Sequence, residues 1–299
     1  MHQLFADFLR GAAVAAEDAV ILQRVRLVQR DRLIEVAKEL AAHPANTEMA
    51  AVLTVYPLRP EPWEQTGADV AIEDGETIGS ALCQIGRFND ALPWFRRAVE
   101  AKKKGDAHGR VDHASLGVSL HLVGYCLSER AKFDEARVWY ERAVEAHQKG
   151  DAHGRVDHAS LGRSLHQVGY CLSRTGKFAE ARAWYERAVQ AHEKGDVHGR
   201  VDHAELGKGL HQVGDCLSET GKFDEARPWF RKAVEAKKTG NVHGRVDHAS
   251  VAVSMRGLAR CLRQAGRLEE AKQWERKASE QEKAAPQSAA SVPRRGSME

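Results

Sequence analysis

Between His158 and Arg174 the residues Leu161, Leu165, Val168, Tyr170, Cys171 and Leu172 return close to every 3.6 positions, with polar residues between them. That spacing predicts an amphipathic helix, here helix A, with Asp157 placed to cap its N-terminus. Thr175-Gly176-Lys177 interrupts the pattern. Phe178, Ala181, Trp184, Tyr185, Ala188 and Val189 then resume it as helix B to about Lys194, where Gly195 can take the left-handed conformation that ends a helix. A link of about three residues folds only as an antiparallel hairpin. Gly169, Ala181 and Ala188 are small enough to let the two axes approach, and Phe178 and Tyr185 are expected to fill the space between neighbouring hairpins. In the next copy Asp202 and Glu205 have the spacing of a capping box.

The pattern is one copy of several. GDAHGRVDHASLG begins at Gly105 and again at Gly150, GDVHGRVDHAELG at Gly195 and GNVHGRVDHASVA at Gly240, a period of about 45 residues. Such self-similarity predicts stacked units that bury their apolar stripes against one another, with no single central core. The expected organisation is an N-terminal helical cap and proline-containing linker over 1–66, repeats at 67–104, 105–149, 150–194, 195–239 and 240–283, and a disordered tail over 284–299. Within the cap, Val20 to His43 has helical spacing, and Pro57, Pro60 and Pro62 mark the linker. The tail is rich in Ala, Ser and Pro, and its Arg294-Arg295-Gly296-Ser297 resembles a basophilic kinase site.

The order Gly169, Leu172, Gly176, Phe178, Ala181, Tyr185, Ala188 resembles the small-and-aromatic signature of the tetratricopeptide repeat, and recurs in every copy. The last copy drifts to Ala259, Leu262, Gly266, Leu268, Ala271, Glu275, Ala278, which suits a terminal unit with no successor to pack on. The period exceeds the usual 34 residues of that family, and the proline that commonly closes helix B is missing. The resemblance therefore implies a long-helix variant similar to the repeats of kinesin light chains. It also implies an all-α fold, an α-solenoid of antiparallel helix hairpins wound as a right-handed superhelix.

Composition narrows the function. The formal net charge is +3 with both signs interspersed, so no strong field favours a nucleic acid or a membrane as partner. No segment is apolar enough to span a bilayer, and Asp7, Arg10, Glu17 and Asp18 interrupt any signal-peptide core, so a cytoplasmic protein is expected. Cys126, Cys171, Cys216 and Cys261 recur at one repeat position, too far apart across packed helices for disulfides, and read as small buried hydrophobes. Histidines recur in the loops (His108, His153, His198, His243), at the helix starts (His113, His158, His203, His248) and within helix A (His121, His166, His211). His113 and His121 lie about 12 Å apart along one helix, so one unit cannot chelate a metal with that pair. The expected fate of these imidazoles is bonding to loop backbone and to neighbouring units. Asp157, His158 and Ser160 hold the components of a hydrolase triad, but neighbouring helical positions diverge by about 100°. No phosphate-binding loop or zinc-protease motif is present, and neither an enzyme nor a cofactor is expected.

In tetratricopeptide arrays the A helices line the concave face. Carried onto this chain, that resemblance selects His121 and Tyr125, then Arg163, His166, Gln167 and Tyr170, then Lys208, His211, Gln212 and Asp215, and finally Arg256, Arg260 and Arg263. The row becomes more basic toward its C-terminal end, which suits a protein or peptide segment of acidic character. The family's clamp for C-terminal carboxylates uses asparagines where this chain has Tyr125, Tyr170 and Asp215, so chaperone-tail recognition is not implied. The leading expectation is an interaction scaffold. The rival is a sensor whose histidine rows bind metal or charge together near pH 6.5, and a third reading puts an enzyme site in Met1 to Gln65.

Overall fold

The computed structural model describes residues 76, 79, 80, 82–84, 86–106 and 108–284. The expected cap and linker, the kinase-like motif and the tail beyond Ala284 lie outside the described residues. Among the described residues all regular structure is helical. The chain divides into two compact units, Met1–Ala101 and Lys102–Glu299.

Most of α1 (Phe88–Lys103) belongs to the first unit, where it buries Ala91, Phe95, Ala98 and Val99. A methyl group on Gly79 would come within 2.7 Å of the Phe95 ring, so these two positions pack in direct contact. The second unit contains four hairpins: α2 (His113–Glu129) with α3 (Phe133–Lys149), α4 (His158–Arg174) with α5 (Phe178–Lys194), α6 (His203–Glu219) with α7 (Phe223–Thr239), and α8 (His248–Gln264) with α9 (Leu268–Lys283). From α2 to α9 each helix packs on the next along the chain, so every B helix of this unit except the last, α9, is sandwiched between its own A helix and that of the following hairpin. This is an α-solenoid.

Every A helix starts on an aspartate whose carboxylate accepts backbone N–H groups of the first turn: Asp112 from Ser115, Asp157 from Ala159, Asp202 from Ala204 and Glu205, Asp247 from Ser250. The capping box is only half formed, because Glu205 accepts Lys208 Nζ at 2.6 Å instead of turning back to the Asp202 N–H. The B helices have no side-chain cap and begin directly on the tight turn. After α4, Gly176 has φ +77°, its N–H reaches Ser173 O at 3.0 Å, and Lys177 N–H closes back on Leu172 O at 2.9 Å. That is the six-to-one bond of a Schellman turn. In the preceding hairpin the same position is Ala131, at φ +57° the only described non-glycine residue with positive φ.

Gly195 does end α5 with a positive φ of 78°, but its ψ of −166° is not the left-handed helical value expected. It lies in the mirror-extended region that only glycine enters readily, and an added Cβ would meet Arg200 O at 2.7 Å. The loop that follows explains the recurring GDxHGR string. Asp151 Oδ1 accepts the backbone N–H groups of His153 and Arg155 at 2.8 and 2.9 Å, while Arg155 Nε donates to Oδ2 at 2.8 Å. The bonds from Arg155 hold the Asp151 carboxyl down at about 2. Asp106 and Asp196 repeat the arrangement, and Asn241 keeps the two backbone bonds without the arginine clamp.

The small residues pack as expected: Ala181 and Ala188 are fully buried, and a methyl group on Gly169 would come within 2.9 Å of the Tyr185 ring. Tyr185 touches its own A helix, its hydroxyl 3.4 Å from Ser173 Oγ, and the ring at the same place in the next repeat, Phe230, also packs between hairpins, where a Cβ on Gly257 of α8 would meet it at 2.5 Å. The first aromatic of the B helix reaches the next unit as well, since Phe133 meets Tyr170 edge-on at 6.0 Å.

Ala181→Leu should therefore overpack the α4–α5 crossing and lower stability by about 1–3 kcal/mol in chemical denaturation. Ala131→Gly should act the other way, raising stability by about 1 kcal/mol, because it relieves a left-handed residue that carries a Cβ.

Candidate partner-binding wall

The residues selected from the sequence lie on α2, α4, α6 and α8, the A helices of successive hairpins. Three bonds tie this row together across hairpins: His121 Nδ1 with Ser164 Oγ at 3.0 Å, His211 Nδ1 with Ser254 Oγ at 3.2 Å, and Arg260 to Asp215 at 2.8 Å. The row thus forms a wall whose exposed members are Arg163, Lys208, Arg256, Arg260 and Arg263. Tyr125, Gln167, Tyr170, Gln212 and Asp215 are half-buried.

The helix A histidines are seam residues more than surface contacts. His121, His166 and His211 stand edge-on to Tyr140, Tyr185 and Phe230 at 5.0, 5.0 and 5.2 Å, and His211 is buried. Burial pulls the His121 imidazole down to about 3 and that of His166 to about 4. These two do not charge together near pH 6.5 while the protein is folded, against the sensor expectation. His211 Nε2 lies 3.0 Å from Asp215 Oδ2. Burial alone would raise the Asp215 carboxyl, but the His211 hydrogen bond and the Arg260 charge outweigh it and hold it below the usual range. Bonding of imidazoles to neighbouring units is seen at His121 and His211, whereas the loop histidines donate through their backbone N–H and keep exposed side chains.

The basic end of the wall is already partnered. Arg256 pairs with Glu282 at 2.5 Å, Arg260 with Asp215, and Arg263 with Glu275. Glu275 replaces the aromatic of the other B helices and Arg263 replaces the serine that contacts it, so an ion pair stands where Ser128–Tyr140 and Ser173–Tyr185 do in earlier hairpins. Midway along the wall, Arg174 donates to Tyr170 Oη at 2.8 Å and stacks on Phe133 with its guanidinium carbon 4.8 Å from the ring centre. Arg174 was not selected from the sequence, although its spacing of four from Tyr170 on one helix was available.

The sequence reading also missed His147, His192 and Lys237 in the last turns of α3, α5 and α7. All three are buried, with ring or stem lying over Gly117, Gly162 and Gly207 of their own A helix. Lys237 Nζ donates to Ser250 O of the next hairpin at 3.1 Å. Their signal was a polar residue recurring within an apolar stripe, opposite a recurring glycine.

No reactive constellation emerges at the motifs singled out earlier. Ser160 Oγ donates to Asp157 Oδ2 at 2.6 Å, making it part of a helix cap. The repeated cysteines are buried and outside any disulfide, and burial pushes the Cys171 and Cys216 thiols up to about 12. Among the described residues no three His, Cys, Asp or Glu side chains converge as a metal site, and no helix is long and apolar enough to cross a membrane.

Hairpins stacked on small-residue contacts, with a continuous wall of A helices, define a repeat protein of the α-solenoid class. Descriptions of the tetratricopeptide repeat match residues 161–195, 208–239 and 252–274, and the chain belongs to that family. No curated protein matches it by sequence. Among solved structures it is similar to BtubC (BKLC) from P. vanneervenii, at 16% identity and TM-score 0.61 over 92% of this chain and 96% of that one. A putative kinesin light chain of Podosopora anserina with nearly identical TPR-like repeats matches at 19% identity and TM-score 0.54, over 71% of this chain and 94% of that one. MamA from Desulfovibrio magneticus RS-1 matches at 12% and 0.52, over 72% and 96%. At these identities the likeness is one of fold.

The buried imidazoles make stability depend on pH. His121, His147 and His166 ionise near 6.5 when unfolded but only at about 3, 4 and 4 when folded. Their contribution is complete above pH 6.5 and is lost as pH falls toward 4, by about 1 kcal/mol per imidazole for each pH unit. Thermal melts at pH 7.5, 6 and 5 should show a steady fall in Tm, and a flat profile would contradict neutral burial of these rings.

Proposed function

We propose that the protein is a non-catalytic scaffold that holds a segment of a partner protein along α2, α4, α6 and α8, in the cytoplasm. The observation that carries this reading is the wall itself, on which polar, aromatic and cationic side chains recur at one helical face of successive hairpins. Membership of a repeat family whose fold serves as an interaction scaffold supports it. The segment is of acidic character, binding toward Arg256, Arg260 and Arg263. Its carboxylates would exchange with Asp215, Glu275 and Glu282, which is inexpensive because exposed ion pairs contribute only about 0–1 kcal/mol. Tyr125, Tyr170, Gln167 and Gln212 would supply contact area and amide hydrogen bonds along the rest of the wall.

Affinity purification with the full-length chain tests this, followed by titration of the captured partner. Arg256→Glu, Arg260→Glu and Arg263→Glu together should weaken that partner by tenfold or more, while reversal of Arg142 and Arg187, which stack on Trp139 and Trp184 of the B helices, should leave it unchanged. An unaltered affinity in the wall variant rejects the assignment.

A further inference from the structure

The seams between successive hairpins of the second unit are not equivalent. The first joins α2–α3 to α4–α5 through the His121–Ser164 hydrogen bond, the Phe133–Tyr170 edge contact and Arg174 stacked on Phe133. The third joins α6–α7 to α8–α9 through His211–Ser254, Arg260–Asp215, Ser218 Oγ with Cys261 Sγ at 3.5 Å, and Lys237 with the Ser250 carbonyl.

The middle seam, between α4–α5 and α6–α7, lacks these ties. Its serine position is Gly209, so the hydroxyl that meets Nδ1 of His121 and of His211 is missing opposite His166. His166 Nε2 is separately buried without a hydrogen-bond partner, Tyr170 standing where Asp215 meets His211 Nε2. Among the described residues no side-chain hydrogen bond crosses this seam, and its one ion pair, Arg182 with Glu225, is 3.8 Å long and solvent-facing. What remains is apolar: Val189 of α5 against Leu206 and Leu210 of α6. The helix on the far side also carries Gly207, Gly209 and Gly214, more glycines than α2, α4 or α8, and each glycine weakens a helix interior.

We infer that the middle seam is a built-in weak joint, where the wall of A helices opens ahead of its neighbours. The missing Nδ1–serine bond leaves the closed seam held by apolar contact, and the glycine-rich α6 lowers the cost of local unfolding beside it. Opening there changes the spacing between the His166 and His211 rows while each hairpin stays folded.

Hydrogen–deuterium exchange on the full chain reads this directly. Amides of α6 should exchange severalfold faster than those of α4 and α8. Gly209→Ser restores the serine found at this repeat position as Ser164 and Ser254, both of which are buried in this fold, and the added Cβ would lie 3.1 Å from Val189 Cγ2. It should slow α6 exchange about fivefold. Gly209→Ala separates the seam bond from helix propensity, because alanine is the better helix former and has no hydroxyl. If Ala slows exchange as much as Ser, the missing bond is not the cause and the inference fails. It fails equally if α6 exchanges no faster than α4 and α8 in the unmodified chain. Ser164→Gly should loosen the first seam to the same degree, and no change there would also overturn it.

Discussion

The structure depends on one close contact repeated along the chain: an aromatic ring of helix B pressed against a glycine of helix A. Tyr140 on Gly124, Tyr185 on Gly169 and Phe230 on Gly214 each leave under about 3 Å for any added Cβ. The ring brings a large apolar area to full burial, and the glycine lets the axes come close enough for Ala181 and Ala188 to interlock behind it. Because each ring also meets a histidine one turn along helix A, the same contact sets where the wall's imidazoles stand.

Variation on that contact gives each hairpin its own character. Where the ring is tyrosine, its hydroxyl faces a serine; where the last hairpin has Glu275, the serine becomes Arg263 and a charge pair takes over at the end of the stack. The loops vary least, since one Asp or Asn side-chain oxygen accepts the same two backbone N–H groups in each of them, and that demand is local and the same at every turn. The near-identity of the GDxHGR strings is thus a matter of backbone closure, and binding specificity has to reside elsewhere.

The wall combines a rigid frame with one loose seam. Free energy is unevenly distributed along a stacked array because each hairpin contacts only its neighbours, so the loss of a single hydroxyl at Gly209 is felt at one joint and nowhere else. If the wall holds a partner segment as proposed, such a joint would set how its two halves are spaced.

Helix spans, hairpin connections, N-caps and the small-residue crossings were legible from residue order, because each arises from interactions within one repeat: His158–Arg174 and Phe178–Lys194 appear with the boundaries their periodicity predicts. The positions of the wall residues on their helices were legible too. Their electrostatic state was not. That Arg256, Arg260 and Arg263 are already paired, that His121 and His166 stay neutral, and that His166 lacks the bond its counterparts have, all depend on which side chain of the adjacent repeat lies opposite. Residue order specifies periodic faces within a unit; partners across a seam exist only once two units are stacked, since the distances that create or abolish a hydrogen bond there are set by packing between helices far apart in the chain.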